Sequence, residues 1–258
     1  MIDTGDTRIR LEVKDSVATI TLARPEKLNA LDFEMILALE RAAHLIDGNS
    51  AVRVAIITGE GERSFCAGGD ITAWSAQKPE DFGQQWVRVG HRAFDALTRL
   101  RQPLIAALNG HTLGGGLELA ACADFRVGED HIRLGLPETG IGIIPGWSGT
   151  QRAVKRFGSQ IIRRMSLLGE VLTAEQGLKE GLIDRLCTKN QSLQVSQGLA
   201  KMICERSNFA TSAAKMMINA ADGEDAERAL EALAGTAAAH SDELQNGLAA
   251  FRAKKKIQ

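Results

Sequence analysis

The sequence predicts an α/β protein whose second half is mainly helical, and three observations carry that prediction. Strand and helix patterns alternate from residue 8 to residue 128, as expected for strands joined by helices. Two glycine-rich turns, at 64–71 and 110–116, each follow an apolar strand pattern. From about Gly146 onward strand patterns become scarce and long helical patterns dominate. With 258 residues the chain can form one sizeable core and a smaller appended region.

The elements of the first hundred residues follow from hydrophobic periodicity. Residues 8–23 alternate apolar and polar side chains around a short polar break, which predicts a two-stranded hairpin. Residues 29–47 space their apolar side chains three and four apart, which predicts an amphipathic helix. The run VRVAIIT at 52–58 predicts a strand, and 80–101 predicts a second helix that ends before Pro103.

The remaining elements continue the same alternation and then become helical. The pattern predicts a buried strand at 103–110, a helix at 113–124 and a strand at 125–128. Further helices are predicted at 150–168, 173–180, 193–206, 209–221, 225–239 and 242–255. We therefore expect an α/β core over residues 1–195 and a helical region over residues 196–258.

The composition excludes several function classes. A net charge of −1 gives no general attraction to nucleic acid or to an anionic membrane. The charged N-terminal stretch lacks an apolar segment, so we expect no signal peptide, and no uncharged apolar run reaches the length of a membrane span. The four cysteines are scattered without a CxxC pair, which favours reduced thiols in a cytoplasmic protein without structural zinc.

The two glycine-rich turns are the first candidates for a site. Glycines at a strand-to-helix junction allow backbone amides to approach a ligand, and the first turn of a helix has amides without intrahelical partners. Gly114, Gly115 and Gly116 occupy such a junction, and SFCAGGDI at 64–71 has Asp70 as a plausible helix N-cap. Two converging N–H donors would form an oxyanion hole, although close packing of helix and strand explains the same glycines equally well.

Two glutamates stand in apolar surroundings and are the second set of candidates. Glu118 lies in the first turn of the helix predicted at 113–124, among apolar neighbours on every face. Glu138 lies between apolar residues and glycines in LPETGIGIIPG. A pair of carboxyl groups can activate one water molecule, one acting as base and the other as acid. The alternatives are a salt bridge from Glu118 to Arg126 or Arg152 or a capping contact of Glu118, and surface turn chemistry at Glu138.

Four segments in series resemble the enoyl-CoA hydratase/isomerase family, the crotonase superfamily. They are RPEKLNAL at 24–31, SFCAGGDI at 64–71, NGHTLGGGLELAACAD at 109–124 and LPETGIGIIPGWSGTQR at 136–152. Their order and spacing match the family's signature segments, and the resemblance covers nearly the whole chain. It implies a spiral of ββα units with a helical C-terminal region that builds homotrimers, often paired into hexamers. It also implies an acyl-CoA thioester as the substrate.

The resemblance assigns roles residue by residue. The peptide N–H groups of Gly69 and Gly115 match the oxyanion-hole donors, and Glu118 and Glu138 match the two glutamates that hold and activate water. Gly146 matches a helix-start glycine whose amide faces the site, in a helix expected to begin about residue 147. The resemblance implies that the following residues bind the coenzyme A or acyl part of the substrate, with Lys254 reaching the CoA phosphates from a neighbouring subunit: Lys27, Leu28, Ala30, Ala67, Asp70, Ile71, Gly114, Pro137 and Lys254.

The resemblance, with both glutamates present, favours hydration of a trans-2-enoyl-CoA through an enolate, as in fatty acid metabolism. The substrate supplies the coenzyme A, and we expect no metal or redox cofactor. A delta-isomerase, a hydroxyacyl-CoA dehydratase and a catalytically silent CoA-binding protein remain alternatives. A dinucleotide oxidoreductase is disfavoured because no GxGxxG follows the first strand, and a serine hydrolase because Thr150 replaces the final glycine of GxSxG.

Three departures from the family pattern leave open questions. Trp147 and Ser148 stand where the family often has small residues, and Trp147 is either a pocket wall or a packed helix-start aromatic. His111 stands where an aromatic residue is frequent, and we interpret it as a structural hydrogen-bonding residue rather than a catalyst. The loop at 71–86 is expected to flank the acyl pocket, and its aromatic residues Trp74, Phe82 and Trp86 either shape that pocket or pack on the surface or in the core.

Overall fold

The computed structural model describes residues 1–75 and 78–255. The strands are β1 (Ile9–Lys14), β2 (Val17–Leu22), β3 (Val54–Gly59), β4 (Ser64–Cys66), β5 (Leu104–Leu108), β6 (His111–Leu113), β7 (Phe125–Glu129), β8 (Arg133–Gly135), β9 (Val171–Thr173) and β10 (Arg185–Cys187). The helices are α1 (Phe33–Asp47), α2 (Ile71–Trp74), α3 (Pro79–Asp81), α4 (Arg88–Thr98), α5 (Gly115–Ala120), α6 (Arg152–Phe157), α7 (Ser159–Leu168), α8 (Ala174–Lys179), α9 (Ser192–Cys204), α10 (Asn208–Ala221), α11 (Ala226–Ala239) and α12 (Asp242–Lys255). Short 3-10 helices cover Pro25–Lys27 and Glu138–Ile141, and a π-helical segment covers Phe82–Val87.

Two sheets organise the first two thirds of the chain. The larger sheet has the strand order β1-β2-β3-β5-β7-β10, and the smaller has the order β4-β6-β8-β9. β1 and β2 form the expected antiparallel hairpin, and β2, β3, β5, β7 and β10 then pair in parallel. The parallel pairing and the alternation of strands with helices agree with the α/β class expected from the sequence.

The central strands of the larger sheet are buried on both faces. Ala55 and Ile57 on β3 face the main core with α1 and α4, whereas Val54 and Ile56 face a second cluster that includes α9. This arrangement follows from the two-residue period of a strand, since successive side chains point to opposite faces. The uninterrupted apolar runs of β3 and β5 are therefore explained by helices on both sides.

Several predicted elements have different bounds in the structure. The helix predicted at 29–47 begins only at Phe33, because the Asp32 side chain accepts a hydrogen bond from Met35 N and caps it. The single helix predicted at 150–168 is wrong: Gly158, with φ of +92°, separates α6 from α7. The smaller sheet was not predicted, because its strands are three residues long and carry too few side chains to show a period.

The C-terminal helices are joined to the sheet region by buried polar contacts. Lys215 on α10 is 6% exposed, and its Nζ lies 2.8 Å from Asp124 Oδ2 and 2.9 Å from the Gln102 carbonyl oxygen. Arg152 on α6 pairs with Glu224, which follows α10, at 2.7 Å.

The proposed division at residue 195 falls inside α9 and stays a prediction. Across the described residues, no helix is long and apolar enough to cross a membrane.

Candidate active site

A cavity of about 200 Å³ lies where the two glycine-rich turns meet the Glu138 segment and the π-helical segment. Its lining is mostly apolar, and the carboxyl groups of Glu118 and Glu138 are the charged groups among the lining residues. The cavity brings together the following residues that the sequence nominated for the site: Ala67, Gly69, Ile71, Gly114, Gly115, Glu118, Pro137, Glu138 and Gly146.

The two glycine turns approach each other closely at this cavity. A Cβ added to Gly68 would lie 3.0 Å from the amide nitrogen of Gly115, so a larger residue would push the two backbones apart. Leu31 fixes the first turn through two backbone hydrogen bonds of 2.8 Å: its N–H donates to the Gly68 carbonyl oxygen, and its carbonyl oxygen accepts from Asp70 N. The N–H of Gly69, between these two residues, takes no part in this pairing. Gly115 is the first residue of α5. Within the described residues, neither the Gly69 nor the Gly115 amide has a hydrogen-bond acceptor.

Glu118 is buried on α5 and is held by backbone amides rather than by a cation. The residue is 2% exposed, and its Oε1 accepts hydrogen bonds from Trp147 N at 2.7 Å and from Gly149 N at 2.6 Å. The salt-bridge alternative is wrong, since Arg126 pairs with Asp184 and Arg152 pairs with Glu224. The carboxyl group is therefore fixed in place while its other oxygen remains available to the cavity.

Glu138 is also buried, so the surface-turn alternative is wrong. It begins the 3-10 helix at Glu138–Ile141, is 8% exposed, and has an Oε2 atom that is buried without a hydrogen-bond partner among the described residues. Gly114, with φ of +55°, makes room for it, because a Cβ there would lie 2.9 Å from Glu138 Oε1. An unpartnered buried oxygen is costly, and it marks a position where water or substrate can bind.

The two carboxyl groups share one electrostatic environment. Burial and the neighbouring Glu138 raise the pKa of Glu118 above its ordinary value, and burial raises the pKa of Glu138. Two buried carboxyl groups that repel each other titrate as a pair, so one proton is retained between them near neutral pH. The pair can therefore act as one base and one acid toward the same small molecule.

The segment after Glu138 differs from the sequence prediction. The helix expected to begin about residue 147 begins at Arg152, so Gly146 lies in irregular backbone and is not a helix-start residue. Gly146 still lines the cavity, but the amides that hold Glu118 come from Trp147 and Gly149. The reason is that Ser148 has a left-handed backbone with φ of +81°, which a right-handed helix cannot contain, so the helix begins only after it.

Ser148 and His91 form a contact that sequence reasoning missed. Ser148 is 6% exposed with φ of +81°, a left-handed conformation that non-glycine residues rarely adopt. Its Oγ lies 3.1 Å from His91 Nδ1 on α4, and burial lowers the pKa of His91, which favours the neutral ring as acceptor. The contact fixes the residue between the two amides that hold Glu118. The glycines around Ser148 signal an unusual turn, but nothing near His91 signals its partner.

The aromatic residues of the 71–86 loop flank the cavity as expected. All three tryptophans of the chain, Trp74, Trp86 and Trp147, line it together with Phe82. Trp147 is 3% exposed, so the structure answers the question left by the sequence: its ring is a buried wall of the cavity. His111 lies outside the lining and accepts a hydrogen bond from Arg133 N at 3.1 Å, in agreement with a structural role.

Some residues nominated for coenzyme A binding lie outside the cavity. Leu28, with φ of +55°, accepts a hydrogen bond from Ala67 N at 3.1 Å, while Lys27 is exposed and Ala30 partly buried beside it. Asp70 caps α2 and pairs with Arg24 at 2.9 Å. Lys254 lies on α12, but its side chain is outside the described part of the structure. The coenzyme A contacts of these five residues stay predictions.

Comparison with known proteins identifies the family. The model of the family described as Enoyl-CoA hydratase/isomerase matches residues 12–258. A relative named crotonyl-CoA hydratase from Syntrophomonas wolfei is 32% identical, with 96% of each chain covered. A relative named short-chain-enoyl-CoA hydratase from Clostridium acetobutylicum is 31% identical and covers 96% of this chain and 95% of its own. The crystal structure of an enoyl-CoA hydratase from Bacillus anthracis superposes with a TM-score of 0.82 at 29% identity, covering 96% of this chain and 97% of its own, which confirms the expected crotonase-like fold.

Proposed function

Because the chain belongs to the enoyl-CoA hydratase/isomerase family, we propose that it is an enoyl-CoA hydratase and that the cavity is its active site. The reaction is the addition of water across the trans-2 double bond of an acyl-CoA thioester. The observation that carries the proposal is the pair of buried carboxyl groups, Glu118 and Glu138, beside two glycine turns in one cavity.

The amides of Gly69 and Gly115 stabilise the charge that develops during the reaction. When water adds to the β-carbon, electrons move to the thioester oxygen and form an enolate. Two preorganised N–H donors at that oxygen stabilise the enolate more than the substrate, and losing one such donor costs about 3–4 kcal/mol in the barrier. The free Gly69 and Gly115 amides and the close approach of their turns support this assignment.

The glutamate pair moves the protons. The ionised carboxyl group takes a proton from the attacking water, and the protonated carboxyl group delivers one to the α-carbon. Both groups face one cavity, so a single water molecule can lie within reach of both. Replacing one acid or base lowers such rates by about 10²–10⁴-fold.

The test follows the loss of the enoyl thioester absorbance with crotonyl-CoA. Glu118→Gln and Glu138→Gln remove one titratable group each with little change in shape, and Glu12→Gln, on the exposed side of β1, is the matched control. We expect the control to keep the wild-type rate and each active-site variant to lose at least about 100-fold. Wild-type rates in both folded active-site variants would contradict the proposal. Tight coenzyme A binding without hydration would favour the catalytically silent alternative.

The assembly and location are proposed on the same basis. We propose a cytoplasmic homotrimer or a dimer of trimers, with Lys254 of one subunit meeting the CoA phosphates of another. Apolar side chains exposed on the C-terminal helices support an interface between copies: Met202, Phe209, Met217, Ile218 and Leu230 are each more than half exposed. Light scattering coupled to size exclusion tests it, and a monomer at micromolar concentration would contradict it.

A further inference from the structure

The indole of Trp147 occupies the inner wall of the cavity against the two proposed oxyanion-hole glycines. A Cβ on Gly115 would lie 2.7 Å from its six-membered ring, and a Cβ on Gly69 would lie 3.3 Å from the same ring. The ring therefore contacts the place where the first carbons of the acyl chain must lie if both amides bind the thioester oxygen. An acyl group cannot occupy the space that the indole fills.

The indole is fixed rather than free to swing. A Cβ on Gly90 of α4 would overlap Trp147 Nε1, so the missing side chain of Gly90 forms the seat of the ring. Trp147 Nε1 donates to the Trp86 carbonyl oxygen at 3.4 Å. Ring centroids of Trp86 and Phe94 lie 5.3 Å and 5.2 Å from that of Trp147. Such tilted and edge contacts stabilise one orientation of the ring.

The volume left by the indole limits what fits. An apolar protein cavity of about 150 Å³ holds benzene, which has six non-hydrogen atoms, so at that density about eight atoms fit in 200 Å³. A four-carbon enoyl group with its thioester oxygen, its sulfur and one water has about seven such atoms. Two additional carbons bring the count to about nine, at the limit of the space, and longer chains clearly exceed it.

The charges of the lining limit the chemistry of the chain. Among the lining residues the carboxyl groups of Glu118 and Glu138 are the charged groups, and the rest are glycines and apolar side chains. A second carboxylate on the acyl chain would meet these two groups without a cation to pair with, at a cost that apolar walls do not offset.

Resting on the proposed hydratase function, we propose that Trp147, seated on Gly90, is the specificity-determining residue that restricts the enzyme to short, uncharged 2-enoyl chains of about four to six carbons. Gly90 and Trp147 depend on each other, since the indole fits only where the residue on α4 has no Cβ. Neither residue donates or accepts a proton in the reaction; the pair sets the length of the pocket.

The experiment measures kcat/KM for trans-2-enoyl-CoA substrates of four, six, eight and ten carbons. The proteins are the wild type, Trp147→Ala, Trp147→Phe, Gly90→Ala and Phe125→Ala, the last being a control that removes an exposed aromatic ring outside the cavity. We expect wild-type kcat/KM to fall at least about 10-fold from six to ten carbons, because a misfitting methylene is worth about 10-fold or more. Trp147→Ala should reduce that difference at least about 10-fold, and the Phe125 control should keep it.

The smaller substitution keeps the test decisive if Trp147→Ala does not fold. Trp147→Phe retains an aromatic ring and should shift the preference partway toward eight carbons, and Gly90→Ala should displace the indole into the cavity and lower kcat/KM even for four carbons. Equal wild-type rates for four and ten carbons, or an unchanged preference in the folded Trp147 variants, would overturn this inference while leaving the hydratase function intact. Failure of the wild type on every substrate would instead contradict the proposed function.

A final arm tests the charge argument. Tryptophan rings and carboxylates together can bind a quaternary ammonium group. A four-carbon enoyl-CoA that carries a trimethylammonium group is therefore assayed beside crotonyl-CoA. We expect lower kcat/KM for the charged chain, and a preference for it would overturn the assignment of an uncharged substrate.

Discussion

Replacing Glu138 by glutamine should stabilise the folded protein above neutral pH while it abolishes activity. Glu138 is buried, its Oε2 atom has no partner among the described residues, and burial raises its pKa from 4.5 to about 7. The folded protein therefore binds this proton more tightly than the unfolded chain. The contribution of this carboxyl group to the free energy of unfolding is fully present below about pH 4.5 and is lost as the pH rises through about 7.

The expected gain follows from the size of the shift. A change of about 2.5 pKa units corresponds to about 3 kcal/mol at 1.36 kcal/mol per unit. Glutamine keeps the shape but has its own polar atoms to satisfy, which reduces the net gain to about 1–2 kcal/mol. The substitution also removes the neighbouring carboxyl group that raises the pKa of Glu118. Without this repulsion Glu118 ionises at a lower pH, which also stabilises the folded protein above neutral pH.

The assay is urea-induced unfolding at about pH 5 and about pH 8.5, with Glu12→Gln as the surface control. We expect Glu138→Gln to exceed the wild type in stability at the higher pH and to approach it at the lower pH, while the control follows the wild type at both. Equal or lower stability of the variant at the higher pH would refute the reasoning, because it would mean that the carboxylate is well satisfied in the folded protein.

Three further predictions concern the same site. The pH dependence of kcat/KM should be bell-shaped, since activity requires one proton on the Glu118/Glu138 pair, and a profile flat from about pH 5 to about pH 9 would contradict it. Ser148→Ala should lower kcat several-fold, because it removes the hydroxyl contact that helps to hold a left-handed backbone which alanine, like serine, adopts only at a cost of about 1–2 kcal/mol; Ser148→Gly lacks that cost and should recover part of the loss, and equal loss in both would exclude the backbone as the cause. Arg152→Met should destabilise the protein by about 3–5 kcal/mol in urea unfolding, because it leaves the 9%-exposed Glu224 unpaired, and a change below about 1 kcal/mol would count against a structural role for this pair.

The sequence predicted those parts of the protein that local patterns determine. The hairpin, the strands β3 and β5, and the long C-terminal helices follow from periodicity over six residues or more or from uninterrupted apolar runs. Glu118 and Glu138 were found because a carboxyl group among apolar neighbours is costly, and both are buried in the structure. The glycine turns were found because three glycines are unfavourable at the start of a helix unless the backbone needs the space.

The missed features all depend on contacts between distant segments. Seating the Trp147 ring requires Gly90, which lies 57 positions away and is an ordinary small residue by sequence. The helix expected to begin about residue 147 begins only at Arg152, because Ser148 has a left-handed backbone that its contact with His91 helps to hold. Local propensity contains no information about either partner, so only the folded backbone shows them.

The buried ammonium group of Lys215 has a consequence for engineering this protein. Its two acceptors are the Gln102 carbonyl oxygen and Asp124, whose carboxylate also accepts a hydrogen bond from Leu104 N at the start of a central strand. Grafting the last sixty residues of a relative onto this chain would succeed only if the donor sequence supplied a cation at the same helical position. A chimera that lacked it would leave the Asp124 carboxylate, four residues after the end of α5, with the Leu104 amide but no cation as a partner, and we expect both its stability and its turnover to fall.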